Sequence, residues 1–111
     1  MAFKAAFLAH APDGNPEKNR SVIETPLYKL FVTVVRNQDQ AISECKRLAK
    51  HEGIQSVMLC PGFTSENVAD LSRALDGKIG VFVARGDGPS TRASMEIMAK
   101  EGWFAFAQRQ Q

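Results

Sequence analysis

The sequence predicts a single small α/β domain over residues 1–111, with a four-stranded, mostly parallel sheet and three helices in the order β-loop-β-α-β-α-β-α. Three observations carry that expectation. Four short runs are apolar nearly throughout, as strands buried inside a parallel sheet are. The later runs alternate with two segments of helical periodicity, and a third helical segment follows the last run. Gly, Pro or a capping residue punctuates almost every junction.

Phe3–His10 (FKAAFLAH) ends in turn-forming Pro12, Asp13 and Gly14, and its shortness favours a buried strand over a helix. Between Ala11 and Pro26 the prolines at 12, 16 and 26 and Gly14 are interleaved with charged residues, so a long loop is expected there. A loop of that length inside a compact domain is commonly functional. It is read as an ordered flap that brings Arg20 and Glu24 near the carboxyl ends of the strands. Tyr28–Arg36 (YKLFVTVVR), rich in β-branched and aromatic residues, is the clearest strand.

Asn37 then offers an N-cap and Asp39 an acid in the first turn, while Ala41, Ile42, Cys45, Leu48 and Ala49 recur at helical spacing until Gly53. Glu44, Lys46, Arg47 and Lys50 fall on the polar face of this helix, and Cys45 reads as a small core residue. Val57–Cys60 is a short strand stopped by Pro61 and Gly62. Thr64 or Ser65 caps the next helix, striped by Val68, Leu71, Ala74 and Leu75 and ended by Gly77. Ile79–Ala84 is the fourth strand; Gly86, Asp87, Gly88 and Pro89 lead into a helix from about Ser90 to Glu101, and the apolar tail Trp103–Phe106 either caps the core or adds an edge strand.

Composition narrows the function classes. Fourteen basic and twelve acidic residues, interspersed, give a net charge of +2 without the basic stripe of an electrostatic nucleic-acid binder. No apolar run approaches a membrane span, and the first residues lack a signal-peptide pattern, so a soluble, cytoplasmic protein is expected. Cys45 and Cys60 are expected to be reduced, and with His10 and His51 they show no spacing that gathers a zinc site. No metal or other cofactor is called for. His51 reads as a favourable charge at a helix C-terminus.

In open parallel sheets ligands bind at the carboxyl ends of the strands, where helix N-termini converge. Two loops reach that edge: one carries Cys60, Gly62, Thr64 and Ser65, the other Arg85, Gly86, Asp87, Gly88, Ser90, Thr91 and Arg92. His10 joins them if the first strand runs parallel to the rest. The glycines permit close backbone approach, the hydroxyls donate, and Arg85 or Arg92 can pair with an anion, so the constellation resembles a carboxylate or phosphate cradle.

Competing readings are weaker. The Gly86-x-Gly88 start of the second loop lacks the third glycine and the βαβ setting of a dinucleotide fingerprint, and no lysine stands where a Walker loop needs one. Arg85-Gly86-Asp87 and Asn19-Arg20-Ser21 spell an adhesion tripeptide and a glycosylation acceptor, and both read as chance matches. Cys60 near a helix N-terminus, with His10 as base, has the residue types of a nucleophilic pair but no evident orienting partner.

The segments FLAHAPD, SVIETPLYKLFVTVV, GIQSVMLCPGFT and VFVARGDGPS resemble a family of small uncharacterised prokaryotic proteins. That resemblance implies a bacterial or archaeal cytosolic protein and transfers no catalytic residue. Two functions stay open: binding, with or without transformation, of a small anionic metabolite at the carboxyl edge, and a non-catalytic oligomeric or interaction module whose glycine loops only make turns. Three helices are scant cover for both faces of the sheet, and the long loop, the aromatic tail or a second subunit must supply the rest; with the apolar tail Trp103–Phe106, this makes a homo-oligomer, most simply a dimer, the expectation.

Overall fold

The structure, a computed structural model, describes residues 1–109. Five strands and four helices follow in the order β1 (Phe3–His10), β2 (Arg20–Thr25), β3 (Tyr28–Val35), α1 (Gln38–His51), β4 (Ser56–Leu59), α2 (Ser65–Ala74), β5 (Gly80–Val83), α3 (Gly88–Lys100) and α4 (Trp103–Arg109). The expected α/β class holds, with one strand and one helix more than the sequence suggested.

The additional strand is β2, in the segment expected to be loop. It pairs antiparallel with β3 alone, Thr25 opposite Tyr28 and Arg20 opposite Thr33, and every one of its residues is exposed. An edge strand needs partners on one side only, so it carries no strong apolar pattern, and Pro26 is tolerated at the two-residue turn. This pairing leaves Arg20 near the carboxyl end of β3 but puts Glu24 beside Lys29, near the amino end. The flap reading is therefore corrected for Glu24. The additional helix is α4, formed by the apolar tail, which neither adds an edge strand nor buries a residue in the core.

The sheet order is β2-β3-β1-β4-β5, and β3, β1, β4 and β5 are parallel. From β3 the chain passes over β1 to reach β4 and continues the same way to β5. Two right-handed crossovers in one direction place α1 and α2 on one face. There they close a core of Ala6, Leu8, Val35, Val57 and Leu59 from the sheet against Ala41, Cys45, Leu48 and Leu71 from the helices. The opposite step, β1 to β3, is made through the loop and β2, without a helix.

Among the described residues, the second face of the sheet consequently has no helical layer. Strand alternation directs Phe3, Ala5, Phe7 and Ala9 of β1 to it, and the register adds Tyr28, Leu30, Val32 and Val34 of β3. Ser21, Ile23 and Thr25 extend it on one side; Ser56, Met58, Gly80 and Phe82 extend it on the other. None of these side chains is charged. Ile23 and Phe82 are 57% and 55% exposed.

Glu44, expected on the solvated side of α1, is buried against the sheet. Thr33 Oγ1 donates to its Oε2 at 2.7 Å, Arg47 Nε donates to Oε1 at 2.7 Å and Arg47 NH2 to Oε2 at 3.1 Å, and Arg20 NH2 approaches Oε1 at 3.4 Å. Burial pushes its pKa up more than any other single influence does. The Arg47 and Thr33 hydrogen bonds, with the charges of Arg47 and Arg20, together outweigh it and hold the carboxyl below its ordinary value. Cys45, wholly buried beside it, has its thiol pushed up to about 12 by burial and by the Glu44 charge.

Candidate functional site

The parallel strands reverse their order at β1, from which the chain goes first to β3 on one side and then to β4 on the other. Loops leaving the carboxyl ends of β1 and β4 therefore diverge, and ligands of open α/β sheets bind in the crevice this makes. His10 ends β1 there, and Cys60 and Gly62 follow β4.

The three residues meet. The backbone N–H of His10 donates to Cys60 Sγ at 3.2 Å. A Cβ on Gly62 would stand 3.4 Å from His10 Cβ and 3.5 Å from Cys60 Sγ, so the missing side chain is what leaves room beside both. The imidazole lies edge-on to the buried Phe63 ring, with centroids 6.2 Å apart. His10 Nε2 sits 2.9 Å from the Arg36 carbonyl oxygen. A carbonyl only accepts, so Nε2 carries the proton in neutral His10 and Nδ1 holds the basic lone pair.

Arg85 closes the crevice on the β5 side. Its NH1 donates to the Pro61 carbonyl at 3.0 Å. A guanidinium has five N–H donors in a fixed fork, so most of them remain for an anion. On the β3 side stands Arg36, whose NH1 donates to the Gly14 carbonyl at 3.2 Å. Sequence reasoning passed over Arg36, although it ends a parallel strand as Arg85 does and the same edge rule reaches it. Gln38 was missed as well: its Nε2 donates to the Asn67 carbonyl at 2.9 Å, tying the first turns of α1 and α2 together, while its Oε1 is buried without a hydrogen-bond partner among the described residues.

The other expected residues divide into two groups. Thr64 and Ser65 lie at the start of α2, where Thr64 Oγ1 accepts from Asn67 N at 3.1 Å and Thr64 N donates to Asn67 Oδ1 at 2.9 Å, a reciprocal capping box that already engages the threonine hydroxyl as acceptor. Gly86, Asp87, Gly88, Thr91 and Arg92 line a shallow depression of about 560 Å³ that runs along α3 toward Met95 and Ala99 and does not include His10. Ser90 is exposed beside them.

At this second place the helix N-terminus is occupied. Asp87 Oδ1 accepts from Ser90 N at 2.7 Å, Thr91 N donates to the Asp87 carbonyl at 3.0 Å, and Pro89 has no N–H. Bonds from the Ser90 backbone, then its hydroxyl, hold the Asp87 carboxyl below its ordinary range, so an anion arriving there meets a carboxylate already in position. The switch-point group of His10, Cys60, Gly62 and Arg85 has no acid of this kind in its hydrogen bonds.

No helix among the described residues is long and apolar enough to cross a membrane. No curated protein and no solved structure matches the chain. Residues 3–99 match the Family of unknown function (DUF6506), and this coverage of nearly all of the α/β domain, from the start of β1 into the last turn of α3, shows that the chain belongs to that family.

Proposed function

We propose that the protein binds a small anionic molecule in the crevice between the carboxyl ends of β1 and β4, with Arg85 and Arg36 supplying positive charge and Gly62 the space. One observation carries this reading: where the strand order reverses, the chain leaves a glycine between a histidine and a cysteine and sets an arginine across the same loop. Starts of α1 and α2, capped by Asn37 and Thr64, face the same edge and add the positive ends of two helix dipoles. His10, with its Nε2–H held by a backbone carbonyl, presents Nδ1 to accept a proton or, when charged, to donate one. The reading supports binding and assigns no reaction.

The test is a thermal-stability screen with inorganic phosphate, phosphorylated metabolites and small mono- and dicarboxylates. A ligand held only by the native state at a hundred times its Kd adds about 2.7 kcal/mol of stability. Arg85→Ala removes a charge-assisted contact and should weaken binding roughly tenfold to a hundredfold, the equivalent of about 1.5–3 kcal/mol. Gly62→Val fills the crevice and should abolish binding. Stabilisation that both variants retain in full removes the proposal. The uncharged, uncovered sheet face favours a second reading, an oligomeric or interaction module, and that reading stands alone if no anion in the panel stabilises the parent.

A further inference from the structure

The open sheet face has a counterpart elsewhere in the same chain. On α3, the charged residues Arg92, Glu96 and Lys100 recur every fourth position and form one stripe, leaving Met95, Ile97 and Met98 on an uncharged arc that covers most of the helix circumference. A stripe-and-arc helix of this kind normally buries its arc. Here no residue of α3 or α4 is buried: the two helices pack on each other, and α3 has no extensive contact with the sheet, to which it is joined through the short link Ala84–Asp87. Met95, Ile97 and Phe104 are exposed, and the molecule is drawn out to 43 Å along its long axis.

We infer that a second copy of this chain covers the open face, each protomer laying its α3–α4 arm on the partner's sheet in a reciprocal exchange. Dimensions and charge both fit. Neighbouring strands are about 4.8 Å apart, so the five-stranded face is roughly 24 Å wide. Two helices side by side are about 20 Å wide, and the 13-residue α3 is about 20 Å long. One docking hides a footprint of roughly 300 Å² on each surface, and two symmetric dockings bury on the order of 1,200 Å², within the range of stable interfaces. An uncharged arc meets an uncharged face, while the Arg92–Glu96–Lys100 stripe stays in water. Exchange of an identical element through a short link is a low-cost route to a closed two-fold dimer.

Sedimentation of the full chain across the micromolar range tests this, together with Phe82→Asp on the face and Ile97→Asp on the arm. Both positions are exposed, so circular dichroism should show the folded protomer retained in each variant. The expected result is a dimer for the parent and a monomer for either variant. A second measurement leaves the apolar surfaces nearly intact: Met58→Cys and Met98→Cys chains are mixed and oxidised, and peptide mapping should find the 58–98 pair joining one chain of each kind. A monomeric parent, a dimer indifferent to Phe82→Asp, or a Met58→Cys/Met98→Cys double variant that closes within one chain overturns the exchange.

Discussion

Replacing Glu44 with Gln keeps the shape of the side chain and removes its charge. The acid is 3% exposed and accepts from Thr33 and twice from Arg47, whereas the arginine side chains around it are 37% exposed and can turn to water when it is gone. Deleting one partner of a fully buried ion pair costs about 3–5 kcal/mol, and the exposure of the cations discounts that figure toward the value of one charged hydrogen bond, about 1.5–3 kcal/mol. For a domain of this size about 1 kcal/mol corresponds to about 4 °C, so Glu44→Gln should melt roughly 6–12 °C below the parent at neutral pH. The folded pKa of Glu44 lies below its ordinary value of 4.5, which gives the effect a direction in pH. An acid with a depressed folded pKa binds fewer protons folded than unfolded, so it contributes stability above the unfolded pKa and loses it as pH falls through the folded one. The parent and Glu44→Gln should therefore differ most at neutral pH and converge in acid, as pH falls through the lowered folded pKa of Glu44. Urea denaturation followed by circular dichroism, at one chain concentration and several pH values, measures the difference. Equal stability at pH 7, or a gap that ignores pH, would refute the claim that the carboxylate charge is what this cluster stabilises.

Three further substitutions probe a close backbone approach, a helix cap and the core. Gly14→Ala puts a Cβ 2.8 Å from the Val35 carbonyl carbon and 3.1 Å from Val34 Cγ1, and because the first of these is backbone the loop must move; calorimetry should show a loss of about 1–3 kcal/mol. Thr64→Ala opens the capping box at α2 and should cost about 1 kcal/mol in urea denaturation, with Thr64→Ser restoring it. Leu59→Ala, in the middle of the core and wholly buried, should cost about 2–5 kcal/mol by the same measurement. A Leu59→Ala cost below that of Thr64→Ala would mean that the core is not centred on β4.

Elements with an internal signal were legible in the sequence. Helix α1 shows its cap, its acidic first turn and its apolar stripe, and Asn37 indeed accepts from Gln40 N. Strands β1, β3, β4 and β5 were expected within a few residues of their observed positions. What was not legible depends on how elements pair and which side chains the pairing buries. Strand β2 was hidden by Pro12, Gly14, Pro16 and Pro26 around it, although Val22, Ile23 and Thr25 are β-branched, and Glu44 is buried because Thr33, eleven positions earlier, stands opposite with a hydroxyl and Arg20 reaches it from the edge strand. Around the crevice at the strand-order reversal, the strand-end rule named His10, Cys60 and Arg85. It could not show that Gly62 lies against His10, because the strand order was open, nor that Asp87 occupies the start of α3.

The contrast between the two cysteines makes the protein its own reporter. Cys45 is fully enclosed, with a thiol held protonated up to about pH 12, so an alkylating reagent meets it only after unfolding. Cys60 is partly exposed at the mouth of the crevice. Native protein should take up a single maleimide, at the place where a ligand would sit, and a second only in denaturant. With a candidate ligand added, a slower first modification would report its binding in the crevice, and the appearance of the second reads global opening, in one wild-type sample followed by mass spectrometry.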